Sequence, residues 1–161
     1  MKDKIISLLR SNARLSMEDI ANELSADAAE VTALVGEMEN SGVIRGYTAI
    51  VTDDAPGSES RVKALIEVKV TPSRDGGFDR VARRIAKFPE VTDLYLLSGG
   101  YDLLLTVEGS SLQQVANFVA AKLATIEGVT STATSFQLKK YKESGMIMQS
   151  DEEYERLKIC F

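Results

Sequence analysis

The chain has 161 residues, 44% hydrophobic and 27% charged, with a net charge of −5, which is typical of a globular protein of one ordinary domain or two small ones. It has no histidine and one cysteine, Cys160, which excludes histidine-based catalysis and an internal disulfide and disfavours a zinc site, so we expect no metal and no cofactor. No apolar run reaches the roughly 20 residues that span a bilayer, and no signal-peptide pattern is present, so we expect a cytoplasmic protein that does not enter a membrane.

Three short helices are predicted in the first 46 residues. "KDKIISLLRS" and "SMEDIANEL" each place apolar residues on one face, and Ser16 with Asp19 forms a capping-box pattern. Asp27 with Glu30 caps a third helix, which Gly42 ends, and "VIRGYTAIV" is predicted to follow as a strand. Three helices with a tight turn between the last two are the helix-turn-helix plan. The apolar positions predicted to pack are Ile5, Leu8, Leu9, Met17, Ile20, Ala21, Leu24, Val31, Leu34, Val35 and Met38.

A polar linker, "TDDAPGSES" at residues 52–60, separates this first domain, residues 1–51, from a second at residues 61–142. The sequence of the second domain predicts, in order, a strand, a helix, two strands joined by residues 98–100, a helix capped by Ser111, and a last strand. That order is the ferredoxin-like β-α-β-β-α-β plan, an antiparallel sheet with both helices on one face, and the fold class is α+β. The residues predicted to point inward from the two helices are Phe78, Val81, Ala82, Ile85 and Phe88, and then Leu112, Val115, Ala116, Val119 and Leu123.

The sheet face away from the helices is predicted to carry four leucines, Leu65, Leu94, Leu96 and Leu104. These are too apolar for water, so we expect a second subunit there. Residues 143–161 form an acidic tail, which we expect either to pack on a neighbouring chain or to be mobile.

The third helix has an unusual charge for a surface that meets DNA. Between Asp27 and Glu39 there are four carboxylates and no Lys or Arg, and residues 1–47 carry five Lys/Arg against eight Asp/Glu. Because Lys and Arg contacts to phosphate supply most non-specific affinity for DNA, this charge argues against tight binding by a monomer.

The segments "ARLSMEDIANEL", "SGVIRGYTA" and "LLSGGYDLLLTVEG" resemble, in order and spacing, the Lrp/AsnC family of transcription regulators over residues 1–142. The resemblance implies a winged helix-turn-helix that binds DNA, followed by a ferredoxin-like effector-binding domain. It also implies homodimers paired through the sheets, often assembled into octamers, with a small-molecule effector, usually an amino acid, bound between dimers. The implied effector-binding residues are Ser98, Gly99, Gly100, Tyr101, Asp102, Ser135, Phe136 and Gln137.

The resemblance assigns DNA binding to the helix at about residues 28–40. Family members usually carry Arg or Lys at the positions that here read Ala33, Leu34, Gly36 and Glu37, so we expect DNA binding that is weak or conditional. The candidate DNA-binding residues are Arg14, Ala28, Thr32, Ala33, Gly36, Glu37, Asn40 and Arg45.

Each effector-site motif also has a purely structural interpretation. Gly99 and Gly100 form either a tight turn that needs positive φ or an opening through which a ligand carboxylate reaches backbone N–H groups. Asp102 either caps the turn or pairs with the α-ammonium group of an amino acid. Phe136 is expected to belong to the core, whereas Ser135 and Gln137 face the same way and could bind a ligand.

The function predicted from these observations is an amino-acid-responsive transcription regulator. The alternative is an oligomeric small-molecule sensor whose helix-turn-helix no longer binds DNA well, which the acidic third helix favours. An enzyme on the same fold is disfavoured, because histidine is absent and no carboxylates cluster in a plausible cleft.

Overall fold

The computed structural model describes residues 1–52, 55, 61–72 and 77–148. The chain divides into two compact units, Met1–Ile50 and Val51–Phe161. Most of the predicted linker and the tail from residue 149 onward, including Cys160, lie outside the described residues. None of the helices within those ranges has the length and apolar character needed to cross a membrane.

The first unit consists of three helices, α1 (Lys2–Ser11), α2 (Met17–Leu24) and α3 (Ala28–Asn40). The predicted capping box starts α2: the Ser16 hydroxyl accepts from the Asp19 N–H at 3.0 Å, and the Asp19 carboxylate accepts from the Ser16 N–H at 3.1 Å. That pair lowers the pKa of Asp19 through its hydrogen bonds to Ser16. The helices share one core, which contains the buried residues Ile5, Leu9, Ile20, Ala21, Val31, Val35 and Met38.

Two residues in left-handed conformation shape the ends of α2 and α3. Ser25, at φ 51°, makes the tight turn between these helices, and Gly42, at φ 73°, follows α3. The strand predicted for residues 43–51 is wrong, because this segment contains no strand in the structure. A strand needs a hydrogen-bonded neighbour, and no strand of the described chain pairs with this segment.

The second unit contains a four-stranded antiparallel sheet with the strand order β2-β3-β1-β4. Its strands are β1 (Val62–Val70), β2 (Val91–Leu96), β3 (Leu103–Gly109) and β4 (Val129–Phe136). Helices α4 (Asp79–Ile85) and α5 (Leu112–Phe118) share a core with one face of this sheet. The ferredoxin-like α+β prediction is confirmed.

The inward residues predicted for the second helix of this unit are confirmed at Val115, Val119 and Leu123 and wrong at Leu112 and Ala116. Leu112 and Ala116 are exposed, whereas Phe118 is buried and packs edge-to-face on Phe88 at 5.5 Å. After Phe118 the chain widens into a π-helical turn, Val119–Leu123, closed by a hydrogen bond from the Ala124 N–H to the Val119 carbonyl. The large Phe118 ring therefore sets which side of α5 faces the sheet.

The prediction that Leu94 and Leu96 lie on the sheet face away from the helices is wrong, because β2 contains a β-bulge. The pairing of β2 with β3 shifts between Val91 and Asp93, so Thr92 is an extra residue that reverses the alternation after it. Leu94 therefore lies opposite the buried Leu105, on the core side, and Leu96 lies opposite Leu103. The open face of the sheet, which lies away from the helices, carries Leu65, Glu67, Tyr95, Leu104, Thr106, Ala133 and Ser135.

A small hairpin that the sequence interpretation missed crosses the predicted start of the acidic tail. Strands β5 (Lys142–Glu143) and β6 (Met146–Ile147) pair through a two-residue turn at Ser144 and Gly145, both at positive φ. Positive φ at both turn residues is typical of a type I′ turn. The Ser-Gly pair at this position is the sequence signal that indicates such a turn.

Candidate DNA-binding and effector sites

Helix α3 presents one side that is nearly free of large side chains. Val31, Val35 and Met38 are buried, and the opposite side, which we call the outer stripe of α3, consists of Ala29, Ala33, Gly36, Glu37 and Asn40. A Cβ atom added at Gly36 would meet nothing within 4 Å. The outer stripe thus offers a flat helix surface with two polar side chains, Glu37 and Asn40, at its C-terminal end.

Two other predicted DNA-binding residues of α3 lie beside this stripe. Ala28 is half-buried against the helical core, and Thr32 is exposed with its hydroxyl donating to the Ala28 carbonyl at 2.7 Å. The Thr32 hydroxyl proton is therefore already used within the helix, and its methyl group and oxygen lone pairs remain for other contacts.

The carboxylates of α3 are partly neutralised by local partners. Lys2 of α1 places its Nζ 2.7 Å from Oε1 of Glu37. The Tyr47 hydroxyl donates to Glu39 at 2.8 Å, which raises the pKa of Tyr47. Asp27 caps α3 by accepting from the Ala29 N–H at 2.6 Å. Of these contacts only the ion pair with Lys2 offsets a negative charge, whereas the Tyr47 hydroxyl and the Ala29 N–H hold the carboxylates of Glu39 and Asp27 in place.

Two exposed arginines flank the helix-turn-helix. Arg14 lies in the loop before α2, where its backbone N–H donates to Oδ1 of Asn12 at 3.0 Å. The Arg45 side chain lies against Gly42, where an added Cβ would come within 3.1 Å of the guanidinium carbon. Both guanidinium groups are exposed and retain donors for a phosphate.

In the predicted effector loop, Asp102 has a structural role. Its N–H donates to the Val68 carbonyl at 3.1 Å, its carbonyl accepts from the Leu97 N–H at 2.8 Å, and its Oδ2 accepts from the Val70 N–H at 2.7 Å. The pairing of β1 with β4 shifts between Lys69 and Val70, and the carboxylate takes up the Val70 N–H at this irregularity. The hydrogen bond to Val70 uses one carboxylate oxygen, and Oδ1 has no hydrogen-bond partner among the described residues.

The two glycines of this loop are not explained by the turn. Neither Gly99 nor Gly100 has positive φ, so the interpretation that the turn requires it is wrong. A Cβ added at either position would meet nothing within 4 Å, so packing inside the chain does not require glycine either. Ser98 is also exposed, whereas Tyr101 is half-buried. The loop therefore leaves its backbone open to the outside.

The other predicted effector residues lie at the end of β4. Ser135 pairs with Leu65 on the open face of the sheet, whereas Phe136 pairs with Ala64 on the core side and is 37% exposed. The Gln137 N–H donates to the Lys63 carbonyl at 2.8 Å, which continues the ladder past the strand end. Ser135 and Gln137 thus share a face through strand alternation.

One chain does not bring the two groups of predicted effector residues together. Asp102 lies beside Val68 and Val70 on the β3 side of β1, whereas Ser135 lies opposite Leu65 on the β4 side. Standard strand dimensions place them about 13 Å apart along β1 and about 10 Å apart across it. A ligand the size of an amino acid contacts both groups only if they come from two copies of the chain.

Sequence patterns did not identify Lys2 and Tyr47 as partners of the α3 carboxylates, for two different reasons. Lys2 is 35 positions from Glu37, and Tyr47 lies in a segment that was predicted as a strand. In the described part of the chain, no three acidic or thiol side chains converge as ligands for a metal ion.

Two family comparisons match this two-unit architecture. Residues 4–45 match the winged helix-turn-helix DNA-binding family, and residues 63–147 match the Lrp/AsnC ligand binding domain. The chain belongs to the Lrp/AsnC family of transcription regulators, with a helix-turn-helix DNA-binding domain and a ligand-binding domain. This is a class of regulators and not of enzymes.

Individual relatives agree with this assignment. An uncharacterized HTH-type transcriptional regulator of Bacillus subtilis, YugG, is 39% identical over 156 residues, which cover 97% of this chain and 94% of YugG. The crystal structure of a Neisseria meningitidis transcriptional regulator in complex with L-Met is 25% identical, with a TM-score of 0.68, and the match covers 88% of this chain and 90% of that one. Escherichia coli AsnC, at 22% identity and a TM-score of 0.65, shares the fold over 88% of this chain and 93% of its own.

Proposed function

We propose that this chain is a transcription regulator that responds to an amino acid and binds DNA weakly or conditionally through its helix-turn-helix. It acts as a homodimer that assembles further, for example into an octamer. The observation that carries the proposal is the open backbone at Gly99 and Gly100 next to the Asp102 carboxylate.

The chemistry of this loop matches the two charged groups of a free α-amino acid. Oδ1 of Asp102 accepts a hydrogen bond from the ammonium group, while the open amides at Gly99 and Gly100 donate to the carboxylate. Ser135 and Gln137 of a second copy supply further polar contacts. The L-Met bound by the Neisseria meningitidis regulator supports this ligand class.

The open face of the sheet supports the proposed dimer. Leu65 is 41% exposed and Tyr95 is 54% exposed on this face, with the half-buried Leu104 on the strand between them and the half-buried Ala133 on the neighbouring edge strand, β4. Such apolar side chains grouped on one face of a sheet favour contact with a second, identical face.

The DNA arm of the proposal is tested by fluorescence anisotropy with labelled DNA from upstream of the chain's own gene. Titrations at about 50 and 200 mM salt, with and without amino acids, should show binding that weakens with salt, because Arg14 and Arg45 contact phosphate. Binding that shifts with an amino acid is the expected result. Failure to bind at the lower salt concentration would contradict the regulator.

The effector arm is tested by calorimetric titration of the twenty amino acids into wild type and two Asp102 variants. Asp102→Asn keeps an oxygen acceptor for the Val70 N–H and loses the charge, so binding should weaken by about tenfold or more while stability stays near wild type. Asp102→Ala also leaves the Val70 N–H without its acceptor, and should lower the unfolding free energy by about 1–2 kcal/mol. Equal amino-acid affinity in wild type and Asp102→Asn would contradict this site.

The acidic α3 favours a second candidate, an oligomeric amino-acid sensor whose helix-turn-helix contacts no DNA. The two experiments separate these functions. A sensor gives calorimetric binding of an amino acid and no change in anisotropy at either salt concentration, whereas a regulator gives both signals.

A further inference from the structure

The outer stripe of α3 permits close approach to another surface. Ala29, Ala33 and Gly36 project little beyond the helix backbone, and no atom lies within 4 Å of a Cβ added at Gly36. The major groove of DNA, about 12 Å wide, admits an α-helix, and small residues on the inserted side let it sit deep. Glu37 and Asn40 are then the side chains that reach the floor of the groove.

Glu37 is held in place although it is exposed. Lys2 of α1 binds its Oε1 at 2.7 Å, and the Glu37 side chain is 61% exposed. Among the described residues, Oε2 of Glu37 has no partner. The arrangement restrains the side chain, offsets its charge next to an anionic surface, and leaves its second oxygen without a partner among the described residues, as a possible acceptor.

The choice of base follows from the hydrogen-bonding groups that line the major groove. Guanine presents only acceptors there, which a carboxylate cannot use. Adenine presents an N6 amino donor, but its N7 acceptor lies beside that donor and repels a carboxylate, whereas cytosine presents its N4 amino donor without an adjacent acceptor. Glu is a known partner of that amino group. No Lys or Arg occurs between Asp27 and Ile44 to read guanine from α3.

We propose that Glu37, held by Lys2, accepts a hydrogen bond from the N4 amino group of a cytosine in the major groove and so sets the sequence preference of this chain. The proposal rests on the proposed function, because it requires α3 to bind DNA. The proposal explains why a helix that faces DNA is acidic. Its carboxylate selects a base by accepting a hydrogen bond, while the lack of Lys and Arg lowers the affinity of the helix for phosphate. The affinity for any DNA is then low, and the affinities for a correct and an incorrect site differ by a large factor.

The test measures position-by-position preference in wild type and two variants that each remove one carboxylate from α3. Glu37→Ala removes the proposed reader, and Glu39→Ala is the matched control, because Glu39 lies beside the outer stripe against Tyr47. Each cytosine of the upstream duplex is replaced in turn by thymine, with its pair, and affinity is measured by anisotropy at about 50 mM salt. A fourth protein, Lys2→Met, releases Glu37 without removing it.

Wild type should lose about fivefold to a hundredfold in affinity at one cytosine per half-site, the range for one good base contact. Glu37→Ala should lose the preference at that cytosine and bind the duplex with thymine there more tightly than wild type does. Glu39→Ala should also gain affinity for mismatched DNA but keep the cytosine preference, and Lys2→Met should keep a reduced preference. If Glu37→Ala discriminates as wild type does, the inference is overturned and the regulator stands. If wild type binds none of the duplexes, the regulator itself is overturned, and the inference with it.

Discussion

At the scale of single residues, Gly36 and Gly42 predict opposite effects of the same substitution. Gly36 is inside α3 with open space around its Cα, so Gly36→Ala should raise the unfolding free energy by about 0.5–1 kcal/mol. Gly42 has φ 73°, and an added Cβ would meet the Arg45 guanidinium at 3.1 Å. Gly42→Ala should therefore lower the unfolding free energy by about 1–2 kcal/mol. Urea denaturation of both variants checks the pair. A loss of stability in Gly36→Ala would mean that the outer stripe of α3 is covered in the assembled protein.

Asp102 shows why the sequence could locate the candidate site but not describe it. The resemblance to the Lrp/AsnC family made the loop of Ser98–Asp102, with its two glycines, the candidate for the effector site. The hydrogen bond of Asp102 to the Val70 N–H joins residues 32 positions apart and depends on an irregularity of β1 that no local pattern indicates. The structure shows that Asp102 fixes the end of β1, and binding of a ligand through its second oxygen is the role that we propose for it.

At the scale of elements, the π-helical turn after α5 predicts a specific response to acid. Lys122, in this turn, binds Glu90 at 2.5 Å and lies 5.7 and 5.9 Å from the ring centres of Phe88 and Phe118. Lys122 lowers the pKa of Glu90 from its usual 4.5, so the stabilising contribution is present above about pH 4.5 and is lost as pH falls through the lowered value. Lys122→Met should therefore cost about 1–2 kcal/mol near pH 7, since it leaves a mostly buried carboxylate without its partner, and should cost less near pH 3.

Urea unfolding of Lys122→Met between pH 7 and pH 3 checks this response. Lys87→Met is the matched control, because Lys87 is an exposed lysine with no ion pair among the described residues. It should follow the wild-type pH curve throughout. A Lys122→Met curve that stays parallel to wild type down to pH 3 would show that the Glu90 pair does not contribute.

Periodicity predicted the elements of both units well, and its errors have physical causes. Alternation along β1 identified its buried face, but the bulge at Thr92 moved Leu94 and Leu96 to the other side of β2. The β-branched segment after Gly42 has strand propensity, yet it has no neighbouring strand within the described chain. Propensity and period describe one segment at a time, whereas pairing and packing depend on which segments meet.

At the scale of the whole molecule, the open face of the sheet predicts self-association through Leu65. Leu65→Glu places a charge on that face, and a dimer related by two-fold symmetry would bury two such charges in its interface. Sedimentation velocity should show wild type as a dimer or larger and Leu65→Glu as a lighter species. Leu112→Glu, which introduces the same charge at an exposed leucine of α5, should sediment as wild type does. An unchanged mass for Leu65→Glu would contradict pairing through this face.

The distance between Asp102 and Ser135 within one chain has a consequence for the cell that makes this protein. A site completed by two copies exists only in the fraction of chains that have associated, so the number of sites rises faster than the number of chains. In cells with few copies of the chain, the regulator would then hardly respond to the amino acid. A modest rise in its expression would sharply increase that response. Under the proposed function, the abundance of the regulator is therefore a second input beside the concentration of the amino acid.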